Sequence, residues 1–450
     1  MFNIHPDAQN NFNEKAQALI LCIKESQSIQ TQRNKFFDPD IHVKMHLTDK
    51  DIIGEISMGA VDFLGEQVAF YFIDGQRQLG IEGDDYKSLR KLAENVFKIG
   101  DIRKAVSLKT IEKIVRNWLK EKYFNKDLIC FTDYFLSKAK QIISDISVWI
   151  PISNLCIQEP FRIGKVIFCP ITRELIDKWA QQRIGDVPQD RKEVMKEFFE
   201  KNIRPFQGYA AATLKVTAER ERAKELIIEE ANRALCFLRI FTGAALNPQI
   251  ISFYGLWGTA HIDTVDILYL KDREDYNGIT KETIGPPPKA EILNKEIINK
   301  IFLIGLGTID RLLNSNSLSA FQNDVLGALM LYSRASLSKD AADKLLYILA
   351  ALESIFLKNT SEPIQQNLGE RMAFLIGKSL DDRKEIVKNV RNVYDLRSAF
   401  IHHGASVADY EVLEQFMLKA WYTIIQLISA TGRFKSKDDF ISKLEERKLS

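Results

Sequence analysis

Residues 341–358 read AADKLLYILAALESIFLK, with apolar side chains recurring every three or four positions. That period is helical. The preceding SLSKD at 336–340 offers a Ser or Asp where an N-cap belongs. Outward from this run the same signal repeats, at 297–313, 320–333, 364–376, 382–402 and 410–431, with short polar loops between. Loops that short favour antiparallel neighbours, so the last third of the chain is expected to be a helical bundle.

The rest is mixed. Helical periodicity is expected at 7–35, 86–97, 108–122 and 128–143, and strands and turns at 41–64 and 67–81, where FYFIDGQRQL carries an Asp-Gly hairpin signal. VWIPISNLCI and FRIGKVIFCPI read as strands whose prolines suit ends or edges. Beyond 171 helices are expected at 173–181, 192–201 and 219–243, and strands at YAAATLKV and VDILYL. Gly285 to Pro288, a triple-proline run, is the clearest linker. The expected fold class is α+β, predominantly α. A mixed α/β region spans 1–170, a mostly helical middle 171–335, and the bundle 336–450.

Composition excludes several classes. The 450 residues carry 62 Lys and Arg against 60 Asp and Glu, and 46% are hydrophobic, which is neither a disordered chain nor a histone-like polycation. No apolar run approaches the ~18–20 residues of a membrane span, and the N-terminus lacks the pattern of a signal peptide. Five cysteines without CxxC spacing read as free thiols of a reducing compartment. The expected location is cytoplasmic, with no membrane partner.

Common site motifs fail on inspection. His42 and His46 have i,i+4 spacing, but in a strand-like segment without an evident third ligand, so no metal is expected. Gly305 and Gly307 lie within helical periodicity, with no strand before them. Gly377-Lys378-Ser379 resembles the end of a phosphate loop, but Met372 occupies the first glycine's place. Asp84-Asp85 reads as a solvated turn and ERERAKE, 219–225, as an exposed face.

One segment differs: NVYDLRSAFIHHG, 392–404. His402 and His403, two of six histidines, stand beside a glycine that suits a helix end. Arg397 precedes His402 by five positions, which on a regular helix sets them about 140° apart. They share a face only if the helix unwinds near Gly404. A helix C-terminus favours the imidazolium. Arginine with histidine is a chemically sensible pair for cleaving RNA: the imidazole moves a proton to or from oxygen, and the guanidinium fork holds the phosphate. Glu353, inside an apolar helix, either pins Arg397 or faces solvent beside Ser354. Arg371 is either a further phosphate ligand or an ordinary surface side chain.

The last 110 or so residues resemble the HEPN domain of ApeA-like antiphage defence proteins. The resemblance runs through KLLYILAALESIFL, GERMAFLIG, VRNVYDLRSAFIHHG and DYEVLEQFMLKAWYTIIQLI. It implies a metal-independent endoribonuclease with an RX4–6H motif, needing no cofactor, that dimerises through this domain so that two motifs form a composite cleft. By carry-over, Arg397 would polarise the phosphate and His402 would act as general acid or base, with His403 as the RX5H alternative. Ser398 would orient the phosphate, and Tyr394 would line the cleft or pack. Gly404 stands where some relatives carry a modifiable tyrosine, so no nucleotidyltransferase partner is implied. The expected substrate is RNA, with tRNA a candidate, and the first two-thirds would sense an invader-derived trigger.

Charge weighs the other way. Residues 340–450 hold sixteen Lys and Arg against sixteen Asp and Glu, whereas a nonspecific RNA binder usually shows a basic excess. Capture would then rest on a local groove such as Arg383, Lys384, Lys388 and Arg391. The competing reading is a noncatalytic helical binding or assembly module.

Overall fold

The computed structural model describes residues 2, 4–25, 67–75, 77–259, 263–269, 278–284, 289–359, 361–403 and 409–449. His42, His46, the strands expected at 41–64, the Gly285–Pro288 linker and Gly404 lie outside them. The fold is α+β and mostly α. The chain forms two compact units: Met1–Ile146 with Lys215–Glu225, and Ser147–Leu214 with Leu226–Ser450.

In the first unit the Asp-Gly signal forms the hairpin expected of it. Ala69–Asp74 pairs antiparallel with Arg77–Glu82, and Gly75 takes a φ of 61°, the left-handed conformation that glycine adopts without strain. Phe70, Phe72, Leu79 and Ile81 of this hairpin enter a core with Tyr86, Leu89, Trp118, Phe131 and Phe135 of the helices Gly83–Phe97, Leu108–Phe124 and Phe131–Ile142. The first helix, Pro6–Leu21, is shorter than its apolar pattern suggests: Lys24–Glu25 already pairs as a strand with Leu79–Gly80. Asp84 and Asp85 are not a turn. They open the helix Gly83–Phe97, where the helix dipole favours negative charge.

Five strands assemble in the order Phe161–Ile163, Val166–Pro170, Ala210–Ala218, Ser144–Ser153, Gly255–Leu256. In the second unit, the apolar run at 297–313 is not one helix. Lys295–Ile301 passes through a wide turn at Phe302–Leu306, where Gly305 leaves helical geometry, before Gly307–Leu313 resumes. Six helices then follow: Ala320–Ala335, Ala341–Phe356, Ile364–Ile376, Leu380–His403, Tyr410–Ala430 and Lys437–Leu449.

Their ends are capped by side chains that the sequence supplies in place. Ser319 and Gln322 form a reciprocal capping box, Asp340 accepts from the Ala342 and Asp343 amides, and Asp409 accepts from Val412. Ile348, Leu352, Phe356, Met372, Val390, Val393, Phe416 and Ile424 are fully buried between them.

Within the same unit, long side chains satisfy the carbonyls of 240–254. Trp421 Nε1 donates to Ile240 O at 2.8 Å, Tyr332 Oη to Ala245 O at 2.8 Å, Lys344 Nζ to Ile250 O at 2.5 Å and Arg239 Nη2 to Tyr254 O at 2.7 Å. A backbone segment without regular pairing can be buried only if such donors meet it. Among the described residues no helix is long and apolar enough to cross a membrane.

Candidate functional site

The helix Leu380–His403 carries the Arg-His segment. Ser379 starts it, accepting from the Asp382 amide at 3.1 Å, and its buried face is Ile386, Asn389, Val390 and Val393. Asn389 Nδ2 donates to the Val412 carbonyl at 3.1 Å, tying this helix to the next one. The helix stays regular through His403. Arg397 and His402 of one chain therefore diverge by about 140°, and the unwinding that would reunite them does not occur before His403.

Two surfaces result. At ~100° per residue, Lys384, Lys388, Arg391, Ser398 and His402 fall in a sector about 80° wide, and all five are exposed. Asp395 lies in the same stripe, and Asp381 sits 3.7 Å from Lys384. Arg383 is not part of it: its guanidinium packs over the Phe374 ring at 4.6 Å. His403 is also exposed, its ring centroid 6.5 Å from that of His402.

Arg397 lies toward the opposite, partly buried side. Its guanidinium sits 5.8 Å from the centre of the Tyr394 ring, one turn earlier on the helix. Among the described residues it has no hydrogen-bond or ion-pair partner. Tyr394 Oη donates to Glu353 Oε1 at 2.6 Å, across from the helix Ala341–Phe356. Burial and this bond hold the phenol well above its usual pKa, so it stays protonated. Glu353 thus does not bond Arg397 directly; partly exposed, it accepts from the phenol beside which Arg397 lies.

Arg371 proves structural. It is 4% exposed, donating to Glu362 through two bonds of 2.9 and 3.0 Å, to Glu445 at 2.7 Å and to the Phe356 carbonyl. The guanidinium holds the Glu362 carboxyl down at about 2. Both expectations for Arg371, phosphate ligand and surface side chain, are overturned, because its two carboxylate partners lie nine and seventy-four positions away. Gly377-Lys378-Ser379 is likewise a tight connector between helices, with Lys378 N donating to Asp382 Oδ2 at 2.8 Å.

A second polar cluster escaped sequence reasoning. Arg239 and Tyr254 are buried together, Arg239 Nε and Tyr254 Oη have no hydrogen-bond partner among the described residues, and burial pushes the Glu291 carboxyl up to about 7. No local pattern marks residues so far apart in sequence. Among the described residues no group of three or more His, Cys, Asp or Glu is placed to hold a metal ion. No family model matches the chain, and comparison with curated proteins and with solved structures returned no match.

Proposed function

We propose that this protein is a cytoplasmic, metal-independent endoribonuclease of the HEPN type acting in antiphage defence, with RNA, tRNA among the candidates, as substrate. The observation that carries the reading is Arg397: a half-buried arginine with no hydrogen-bond or ion-pair partner among the described residues, five and six residues before two exposed imidazoles that end the same helix. A guanidinium whose N–H groups meet solvent rather than a carboxylate is available to an anion.

In the proposed reaction an imidazole takes the proton of the ribose 2′-OH, and O2′ attacks phosphorus. The 5′-oxygen leaves with a proton from a second imidazole, giving a 2′,3′-cyclic phosphate and a 5′-hydroxyl end. Arg397 donates to the non-bridging oxygens as their charge grows. His402 and His403, exposed at the end of the helix, are free to reach the leaving oxygen. Arg397 and His402 of one chain point apart, so the productive pairing in this reading is between chains, in a homodimer joined through the C-terminal helices. Exposed Ile401, Tyr410, Leu418 and Tyr422 provide apolar surface for such a contact. The first unit would receive the trigger.

The noncatalytic module remains the second reading, favoured by the balanced charge of 340–450 and by that same divergence. The separating experiment incubates total tRNA and a structured RNA with purified protein in EDTA, beside Arg397→Ala and His402→Ala. Cleavage to 2′,3′-cyclic ends that disappears in both variants is the expected result. Loss with Arg397→Ala alone transfers the histidine role to His403. If wild type and Arg397→Ala are equally inert on RNA, and equally harmless when expressed during phage challenge, the module is the better account.

A further inference from the structure

We propose that Glu353 and Tyr394 are positioning residues for Arg397: the carboxylate fixes the phenol, and the phenol ring holds the guanidinium by its face so that its donor edge stays open. The proposal rests on the reading of Arg397 as the phosphate-binding group.

An arginine can be held in place by its edge or by its face. A carboxylate bonded to the edge would orient it well, but would neutralise it and occupy the donors that a phosphate needs. Arg371, buried on another helix, is held in that manner, by Glu362 and Glu445. Arg397 is held differently. Its guanidinium carbon lies over the Tyr394 ring, 5.8 Å from its centre, a contact that consumes no N–H. The nearby carboxylate is engaged by the phenol at 2.6 Å instead. The negative charge of Glu353 therefore stands one residue removed from the guanidinium, where it anchors the ring without closing the fork.

The test uses the full chain labelled with ¹⁵N-arginine and a fluorescent ten-nucleotide RNA bearing 2′-O-methyl groups throughout, which cannot form a cyclic phosphate. Arg397→Ala and Tyr394→Leu are expected to weaken binding on the order of tenfold, and Glu353→Ala and Tyr394→Phe by roughly three- to fivefold. Glu353→Gln should stay within about twofold, because its amide oxygen still accepts from the phenol. The Arg397 Nε–H resonance, assigned by its loss in Arg397→Lys, should be ring-shifted in wild type and Glu353→Gln. It should move to the position of an exposed arginine in Glu353→Ala.

A resonance unmoved in Glu353→Ala overturns the proposal. So does wild-type binding by Glu353→Ala alongside weak binding by Arg397→Ala. Wild-type binding by Arg397→Ala instead removes the phosphate role, and the resonance then still decides whether the carboxylate and ring orient the arginine.

Discussion

Replacing Lys344 with methionine separates the energetics of a buried charge from those of the bond it makes. Lys344 is 0% exposed and its amine has one acceptor, the Ile250 carbonyl at 2.5 Å. Burial pulls its pKa down from 10.5 to about 8. Below pH 8 folded and unfolded chains both hold the proton, so the desolvation penalty is present in full. Between about 8 and 10.5 the unfolded chain binds a proton that the folded one has released, and stability rises with pH.

At about 1.4 kcal/mol per pKa unit, the penalty at pH 7 is about 3 kcal/mol, most of which is relieved by pH 10. Methionine of similar length removes that penalty and strips the Ile250 carbonyl of its donor, a loss of about 1–3 kcal/mol. Lys344→Met should therefore be between neutral and ~2 kcal/mol more stable than wild type at pH 7. At pH 10 it should be between neutral and ~2 kcal/mol less stable. Urea unfolding followed by tryptophan fluorescence gives both differences, and taking variant minus wild type cancels the other titrating groups. A difference that is the same at pH 7 and pH 10 would refute the claim that the amine is desolvated.

Arg371→Met should destabilise by about 3–5 kcal/mol, because two carboxylates lose the charge that compensates them; its urea midpoint at pH 7 reports this. In wild type, the Glu362 carboxyl is held at about 2, below its ordinary 4.5. Its contribution is present above pH 4.5 and disappears as pH falls through 2, so an acid titration of Arg371→Met should lack that component. Gly377→Ala should cost about 1–3 kcal/mol, since its Cβ would stand 2.5 Å from the Ala373 carbonyl oxygen and 2.6 Å from Arg383 Cγ; an unchanged melting temperature would contradict that packing.

Elements whose cause is local were legible in the sequence. The Asp74-Gly75 hairpin, the capped helix at 341–356 and the divergence of Arg397 from His402 all follow from residues within a few positions of one another. Failures arose where a distant partner decided. The helical pattern after Leu21 yielded to pairing with the hairpin at Leu79–Gly80. Arg371 looked like a surface side chain because Glu445 is seventy-four residues downstream. Glu353 was recognised as an anomaly in an apolar helix, but its partner proved to be Tyr394, not the arginine that chemistry suggested. The glycine at 305 interrupts an apolar pattern that periodicity alone extends unbroken.

The carbonyls of 240–254 have a consequence for the order of events during synthesis. Ile240 O leaves the ribosome 181 residues before the Trp421 indole that caps it, and Ile250 O precedes Lys344 by 94. At translation rates of roughly 5–20 residues per second, the first carbonyl waits on the order of 10–40 s for its donor. Until then water must serve, and the segment stays solvated while the helices that will cover it are still being made. Closure of the second unit is thus timed by the emergence of the helix Tyr410–Ala430.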